Sequence, residues 1–279
     1  VVVTNGTPTN FAGSGANYTF DITSPSGTVT ADIAGFVAQD AAGNSNTAAS
    51  QWSIVHDTGQ PTVAITSAEG VGPTNAATIN MTVTFSESVT GFTLADITVG
   101  NGTKGNFDGS GANYTFDITG ATGTVTADIA GGVAQDASTN GNTAAPQWSI
   151  VTDYADPTVT IASGIDPGPT NASTINMTVT FNESVTGFDV SDISVSGGTA
   201  TNFTGTGANY TFDITGASGT VTADIAGSVA NDAAGNNNTA ASQWTILQEV
   251  VQPTVAITAS QDPGPTNAST VNLTVTFSE

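Results

Sequence analysis

The sequence has no cysteine and no arginine, and its one lysine, Lys104, faces 23 carboxylates, for a formal net charge of −22. Each shortage excludes something. Without cysteine there is no disulfide staple, no thiolate nucleophile and no soft-metal ligand. With one lysine, nothing neutralises a phosphate backbone or an anionic lipid surface, so nucleic acid and anionic lipid are excluded as partners; with no long apolar run, no direct membrane insertion is expected. The single histidine, His56, is replaced by Thr152 and Gln248 at the matching positions, so it reads as an exposed linker residue. No phosphate-cradling glycine loop or histidine-rich metal motif occurs, no catalytic set assembles, and no enzyme is expected. There is no run of about 18 apolar residues and no signal-peptide pattern.

Charged residues are only 9% of the chain, while 38% are hydrophobic. A disordered acidic tail carries denser charge and fewer apolar residues, so this chain is expected to fold. The cations that balance it must then come from solvent, as diffuse monovalent ions or bound divalent ones.

What the sequence does contain is repetition. Tyr18, Tyr114 and Tyr210 are spaced by 96 residues, as are Trp52, Trp148 and Trp244, Pro61, Pro157 and Pro253, and Phe85, Phe181 and Phe277. A unit of that length buries its own core, unlike shorter repeats that must stack. The expected organisation is a partial repeat at 1–57, complete repeats at 58–153 and 154–249, and a second partial repeat at 250–279. The piece reads as a window from a longer repeat chain, in preference to molecules that complete each other end to end.

Within the copy at 58–153, Pro61–Ile65 suits a first strand, and Ile79–Phe85 alternates Ile, Met, Val and Phe with Asn and Thr. That period of two marks a strand with one buried face. Phe92–Val99, a short segment near Phe107, Tyr114–Ile118, Val125–Ile129 and Trp148–Val151 complete the series, punctuated by Asn101-Gly102, Ser110-Gly111 and Thr122-Gly123. Short strands with turn signals every 8–12 residues give the fold class: all-β, tandem Ig-like β-sandwiches of about seven strands, A to G, with a 96-residue repeat. The tryptophans alternate inward with Ile54, Ile150 and Ile246 and are expected in the core, whereas Asp117 and Asp128 belong to solvated strand faces.

The string from Val83 to Val99, with Ala134-Gln135-Asp136-Ala137 and its Asp40-Ala41-Ala42-Gly43-Asn44 counterpart, resembles the bacterial Ig-like repeats of giant secreted adhesins, often of the RTX type. The resemblance covers the whole chain. It implies an extracellular stalk, frequently stiffened by calcium, that holds a distal adhesive domain away from the cell. The ligand-binding domain of such proteins is a different module and is not expected in this segment.

The recurring acids fall in a pattern. Glu87, Glu183 and Glu279 end strand B; Asp96 and Asp192 lie at the approach to strand C; Asp40, Asp136 and Asp232 open the F–G loop; Asp57, Asp153 and Glu249 follow strand G in the linker. In an Ig-like sandwich all four positions belong to the leading end of a domain or to the linker before it, while Asp166 and Asp262 lie at the trailing end. Asn44 and Asn46, Asn140 and Asn142, and Asn236 and Asn238 follow the F–G acids at fixed offsets. Gathered carboxylates repel and call for a cation. An all-oxygen donor set fits calcium and argues against zinc or copper. The expected metal ligands are Asp40, Asp57, Glu87, Asp96, Asp136, Asp153, Glu183, Asp192 and Asp232, with structural Ca²⁺ at the junctions between neighbouring repeats. The same Asp and Asn spacing is also ordinary Asx-turn chemistry, in which the acids are simply solvated.

The sequence thus points to a non-enzymatic, extracellular spacer of a cell-surface adhesin, whose partners are neighbouring repeats of the same or an identical chain. A subunit of a surface filament or layer, built by head-to-tail and lateral contacts, is the alternative. A carbohydrate-binding module would need an exposed aromatic patch.

Overall fold

The structure is a computed structural model describing residues 1–165, 168–259 and 264–278. Asp166, Asp262 and Glu279 lie outside the described residues. The chain divides into two units, 1–152 and 153–279.

The first unit opens with five strands: β1 (Val2–Thr4), β2 (Thr7–Ser14), β3 (Asn17–Thr23), β4 (Gly27–Asp32) and β5 (Trp52–His56). They form a β1-β4-β5 sheet and a β2-β3 hairpin. A complete repeat follows, with β6 (Val63–Ser67), β7 (Thr78–Val89), β8 (Ile97–Gly100), β9 (Thr103–Thr119), β10 (Thr124–Ile129) and β11 (Trp148–Val151). Its two antiparallel sheets run β6-β7-β9 and β8-β10-β11. The second unit repeats this plan with β12 (Val159–Ser163), β13 (Thr174–Val185), β14 (Ile193–Ser196), β15 (Thr199–Thr215), β16 (Gly219–Ile225) and β17 (Trp244–Gln248), and ends in the pair β18 (Val255–Ala259) and β19 (Leu273–Phe277).

The alternation in β7 is what makes it a central strand. Ile79, Met81, Val83 and Phe85 are each at most 2% exposed, whereas Thr78, Asn80, Thr82 and Thr84 face solvent. A one-residue slip would invert both faces, so burial pins the register Val63↔Phe85 on one side and Met81↔Phe116 on the other. Phe116 and Ile118 extend this face from β9, and Val125, Ala127 and Ile150 close the core from the facing sheet. At one end of it Phe92 meets Phe85 and Tyr114 edge-to-face at 5.1 and 5.0 Å, contacts worth about 0.5–1.5 kcal/mol each beyond area burial. Phe188, Phe181 and Tyr210 do the same in the second unit, at 5.2 and 5.0 Å.

Three local expectations change. The segment Phe92–Val99 is not one strand: a single 3₁₀ turn, Leu94–Asp96, precedes β8. The carboxylate of Asp96 accepts from the backbone N–H and the hydroxyl of Thr93, both at 2.8 Å, and that closes the turn. The short strand near Phe107 and the strand at Tyr114 are the two arms of β9, which folds back on itself. Asn106 Nδ2 donates to Asp117 at 2.8 Å across the arms. At the fold Gly109 has φ +120°, and a Cβ there would lie 2.4 Å from the carbonyl of Asn113. Finally, the tryptophans differ in burial. Trp244 is 7% exposed and Trp148 packs half-buried on its core, but Trp52, in the partial repeat, is 50% exposed.

Candidate metal centre

Three fasteners bring the linker, the end of strand B and the F–G loop together. After the linker, Thr62 and Ser86 are tied twice: Ser86 N–H donates to Thr62 O at 2.9 Å, and Thr62 N–H to Ser86 Oγ at 3.0 Å. Past β7, Thr90 and Gln135 exchange backbone hydrogen bonds of 2.7 and 3.0 Å. Thr143 N–H, on the far side of the loop, donates to Pro61 O at 2.9 Å. The second unit repeats all three. Asn182 binds Thr158 through backbone and side chain, Thr186 exchanges with Asn231, and Thr239 N–H reaches Pro157 O.

Within the F–G loop, Asp136 organises the backbone. Its Oδ1 accepts from Ser138 N–H (2.8 Å) and Asn140 N–H (2.9 Å), and its Oδ2 from Asn140 Nδ2 (2.9 Å). Asp232 accepts the same set from Ala234 and Asn236 at 2.8 to 2.9 Å. Beneath the loop, Asn142 is 2% exposed; its Oδ1 accepts from Ala134 N–H, and its Nδ2 donates to the carbonyls of Ala130 and Thr143. Asn238 makes the corresponding bonds. The loop is therefore rigid by hydrogen bonding, with its carboxylate fixed in position.

The consequence is a carboxylate triad in each complete repeat. Asp57, Glu87 and Asp136 each place an oxygen within 4.8 Å of the others, and so do Asp153, Glu183 and Asp232. The aspartate of the F–G loop is the buried member in both. The triads are related residue by residue through the 96-residue period. Of the other expected ligands, Asp96 and Asp192 stand apart, because their carboxylates close the 3₁₀ turns before strand C. Asp40 takes the same loop bonds from Ala42 and Asn44 in the partial repeat, outside either triad.

Electrostatics differ between the members. Burial disfavours the charge on Asp136 and Asp232, but the side-chain amide and backbone N–H of Asn140 or Asn236 outweigh it, so both titrate below the ordinary aspartate value. The Asn44 amide does the same for Asp40. Glu183 is pushed up, first by desolvation and then by Asp232 and Asp153 beside it. A carboxylate raised by two neighbours while one of them is held ionised is an unbalanced site. Pairs of carboxylates 4.8 Å apart repel by about 0.9 kcal/mol in water, and by several times that where solvent is partly excluded.

The donor set fits calcium. Two oxygens on opposite sides of a Ca²⁺ ion, at about 2.4 Å each, stand about 4.8 Å apart, so three oxygens within that span can share one ion. The ligands are hard oxygens, carboxylates retain lone pairs after accepting N–H bonds, and about three to five further positions remain for water or carbonyls.

Sequence reasoning placed Asn140 and Asn236 in the loop but missed their second role. Asn140 Nδ2 donates to the backbone carbonyl of Asp57 at 3.1 Å, and Asn236 Nδ2 to that of Asp153 at 3.0 Å. The signal available was their fixed offset from the F–G acid, which Asx-turn chemistry explains equally well.

The bacterial Ig-like domain family matches residues 57–151 and 153–247. The chain belongs to this family. Both matches run from the linker to strand G, so in each Ig-like domain the linker acid opens the module. Among solved structures, the Escherichia coli adhesin FdeC aligns at 16% identity over 79% of this chain and 74% of its own, with a TM-score of 0.32. The Yersinia pseudotuberculosis adhesin InvE aligns at 14% identity over 68% and 59%, with a TM-score of 0.26. The ectodomain of mouse nectin-like molecule 4 aligns at 14% over 67% and 65%, with a TM-score of 0.27. Likenesses at this level carry no functional argument, and a nectin ranks beside the adhesins. No protein of curated function matches the chain. Among the described residues, no helix is long and apolar enough to cross a membrane.

Proposed function

We propose that this chain is an extracellular, non-enzymatic spacer of a repetitive bacterial surface adhesin, and that calcium stiffens it by pinning each linker to the domain that follows. The observation that carries the reading is the recurrence of one triad, Asp57–Glu87–Asp136 and Asp153–Glu183–Asp232, at the linker end of both complete Ig-like domains. A site copied unchanged into successive domains serves something that every domain must do, and spanning distance is such a task. The partners are then neighbouring repeats, and the adhesive ligand belongs to a distal module.

The calcium mechanism follows from where the ligands sit. The linker aspartate is already held through its carbonyl by the F–G asparagine. An ion shared with the B-strand glutamate and the F–G aspartate would add a second anchor, through the side chain. Two anchors on one residue remove the torsional freedom that one leaves, so the linker ceases to act as a hinge. Extracellular calcium modules work at about 10⁻⁴–10⁻³ M, a range in which external fluids fill them.

Small-angle scattering of the chain in millimolar calcium and in chelator tests the reading. Calcium is expected to lengthen the maximum dimension and narrow the conformational spread. Superimposable profiles would contradict the stiffening role.

A further inference from the structure

The only lysine directs its ammonium group at backbone carbonyls. Lys104 lies on β9, and its Nζ donates to the carbonyls of Leu94 at 2.8 Å, of Ala95 at 3.5 Å, and of Ile97. These oxygens surround the 3₁₀ turn that leads into strand C. In a chain with 23 carboxylates, an ammonium that settles on three neutral carbonyls identifies them as a preformed cation receptor. The Leu94 carbonyl accepts from the Ile97 N–H and gives its second lone pair to the ammonium, and a one-turn helix leaves its later carbonyls without intrahelical partners.

The third repeat builds the same turn without the lysine. Val190–Asp192 is a 3₁₀ turn whose flanking residues, Asp189 (φ −142°, ψ −177°) and Ile193 (φ −98°, ψ 114°), closely match Thr93 (φ −139°, ψ 168°) and Ile97 (φ −96°, ψ 125°). In both turns the N–H after the turn donates to the first carbonyl, Ile97 to Leu94 and Ile193 to Val190. The position of Lys104 is taken by Ala200, half-buried against the core, and its methyl stops far short of the turn.

We propose that the carbonyls of Val190, Ser191 and Ile193 bind a monovalent alkali cation, Na⁺ or K⁺, in the place the Lys104 ammonium fills in the preceding repeat. The ligand chemistry favours a single charge. The nearby carboxylates hold the turn together: Asp192 accepts from Asp189 N–H at 2.8 Å, and Asp189 accepts from the N–H and hydroxyl of Ser191. What remains is a set of neutral carbonyls, which replaces the hydration shell of an alkali ion but offsets little of the dehydration cost of a divalent one. This site shares no residue with the carboxylate triads.

The test is carbonyl-carbon NMR of the full chain during NaCl and KCl titrations, with ionic strength held constant by tetramethylammonium chloride. In the unaltered protein the carbonyls of residues 190, 191 and 193 should shift saturably, while those of 94, 95 and 97 stay fixed. Ala200→Lys should abolish the first response, and Lys104→Ala should create the second. Shifts at 190, 191 and 193 that never saturate, or that persist unchanged in Ala200→Lys, would show carbonyls that are only hydrated and would overturn the proposal. So would a Lys104→Ala protein whose carbonyls at 94, 95 and 97 ignore both salts.

Discussion

The side-chain amide of Asn236 donates to the backbone carbonyl of Asp153, 83 residues earlier, at 3.0 Å, while it also donates to the carboxylate of Asp232 at 2.8 Å. One amide thereby joins the linker to the F–G loop. Asn140 makes the same pair of bonds to Asp57 and Asp136. This asparagine ties the linker acid to the loop acid, and in the second unit the backbone fasteners at Thr158, Thr186 and Thr239 bring the end of the B strand to them.

Replacing Asn236 by alanine should therefore act on stability and on the linker at once. The lost bond to an ionised group is worth about 1.5–3 kcal/mol. Chemical denaturation should show a loss of about 2 kcal/mol with an unchanged denaturant slope. Backbone amide exchange around Asp153 should quicken even where the rest of the sandwich keeps its protection.

Asn238→Asp should be more damaging although it is nearly isosteric. The Nδ2 of Asn238 donates to the carbonyls of Ala226 and Thr239, at 3.0 and 2.9 Å, and the residue is 3% exposed. An aspartate would keep the Val229 and Ala230 N–H donors on one oxygen but turn its other oxygen toward those two carbonyls, setting a buried charge against two acceptors at a cost of about 3–5 kcal/mol. Thermal unfolding followed by near-ultraviolet circular dichroism should register a drop of ten degrees or more.

The pH dependence without metal should have a maximum on the mildly acidic side. Glu183 has a raised value in the folded state, so its charge opposes folding at neutral pH, and stability is gained as pH falls through that raised value toward the unfolded 4.5. Asp136 and Asp232 have lowered values, so the stability they contribute is present above the unfolded 3.8 and is lost as pH falls through their folded values. Melting temperatures measured in chelator should rise as pH falls from 7 toward the unfolded glutamate value of 4.5, and fall once pH drops below the unfolded aspartate value of 3.8. Millimolar calcium should flatten the rise.

Much of this was legible beforehand, and the rest was hidden for definite reasons. The alternation Ile79–Met81–Val83–Phe85 was readable because burial on one face dictates period two, and the second and third copies repeat it. The grouping of linker, B-strand and F–G acids followed from Ig-like topology. The role of Asp96 did not, because Phe92–Leu94 and Ile97–Val99 each alternate and only the slip of phase at Ala95-Asp96 marks the turn that the carboxylate closes on Thr93. The two-armed β9 was obscured by Ser110-Gly111, which reads as a turn between two separate strands although β9 runs through it from Thr103 to Thr119. The role of Lys104 was not legible, since nothing local tells that carbonyls from residues 94 to 97 converge on it. Contacts between residues far apart in sequence were invisible wherever their chemistry also had a local explanation.

Calorimetric titration of calcium into the chain, beside a Glu87→Gln/Glu183→Gln double variant, tests the central claim most directly. The account predicts saturable heat from two sites at up to millimolar affinity, accompanied by a rise in melting temperature. It also predicts a variant that is more stable than the parent in chelator, through relieved repulsion, yet indifferent to calcium. A parent protein that shows neither saturable heat nor a shift in melting temperature at millimolar calcium would contradict it.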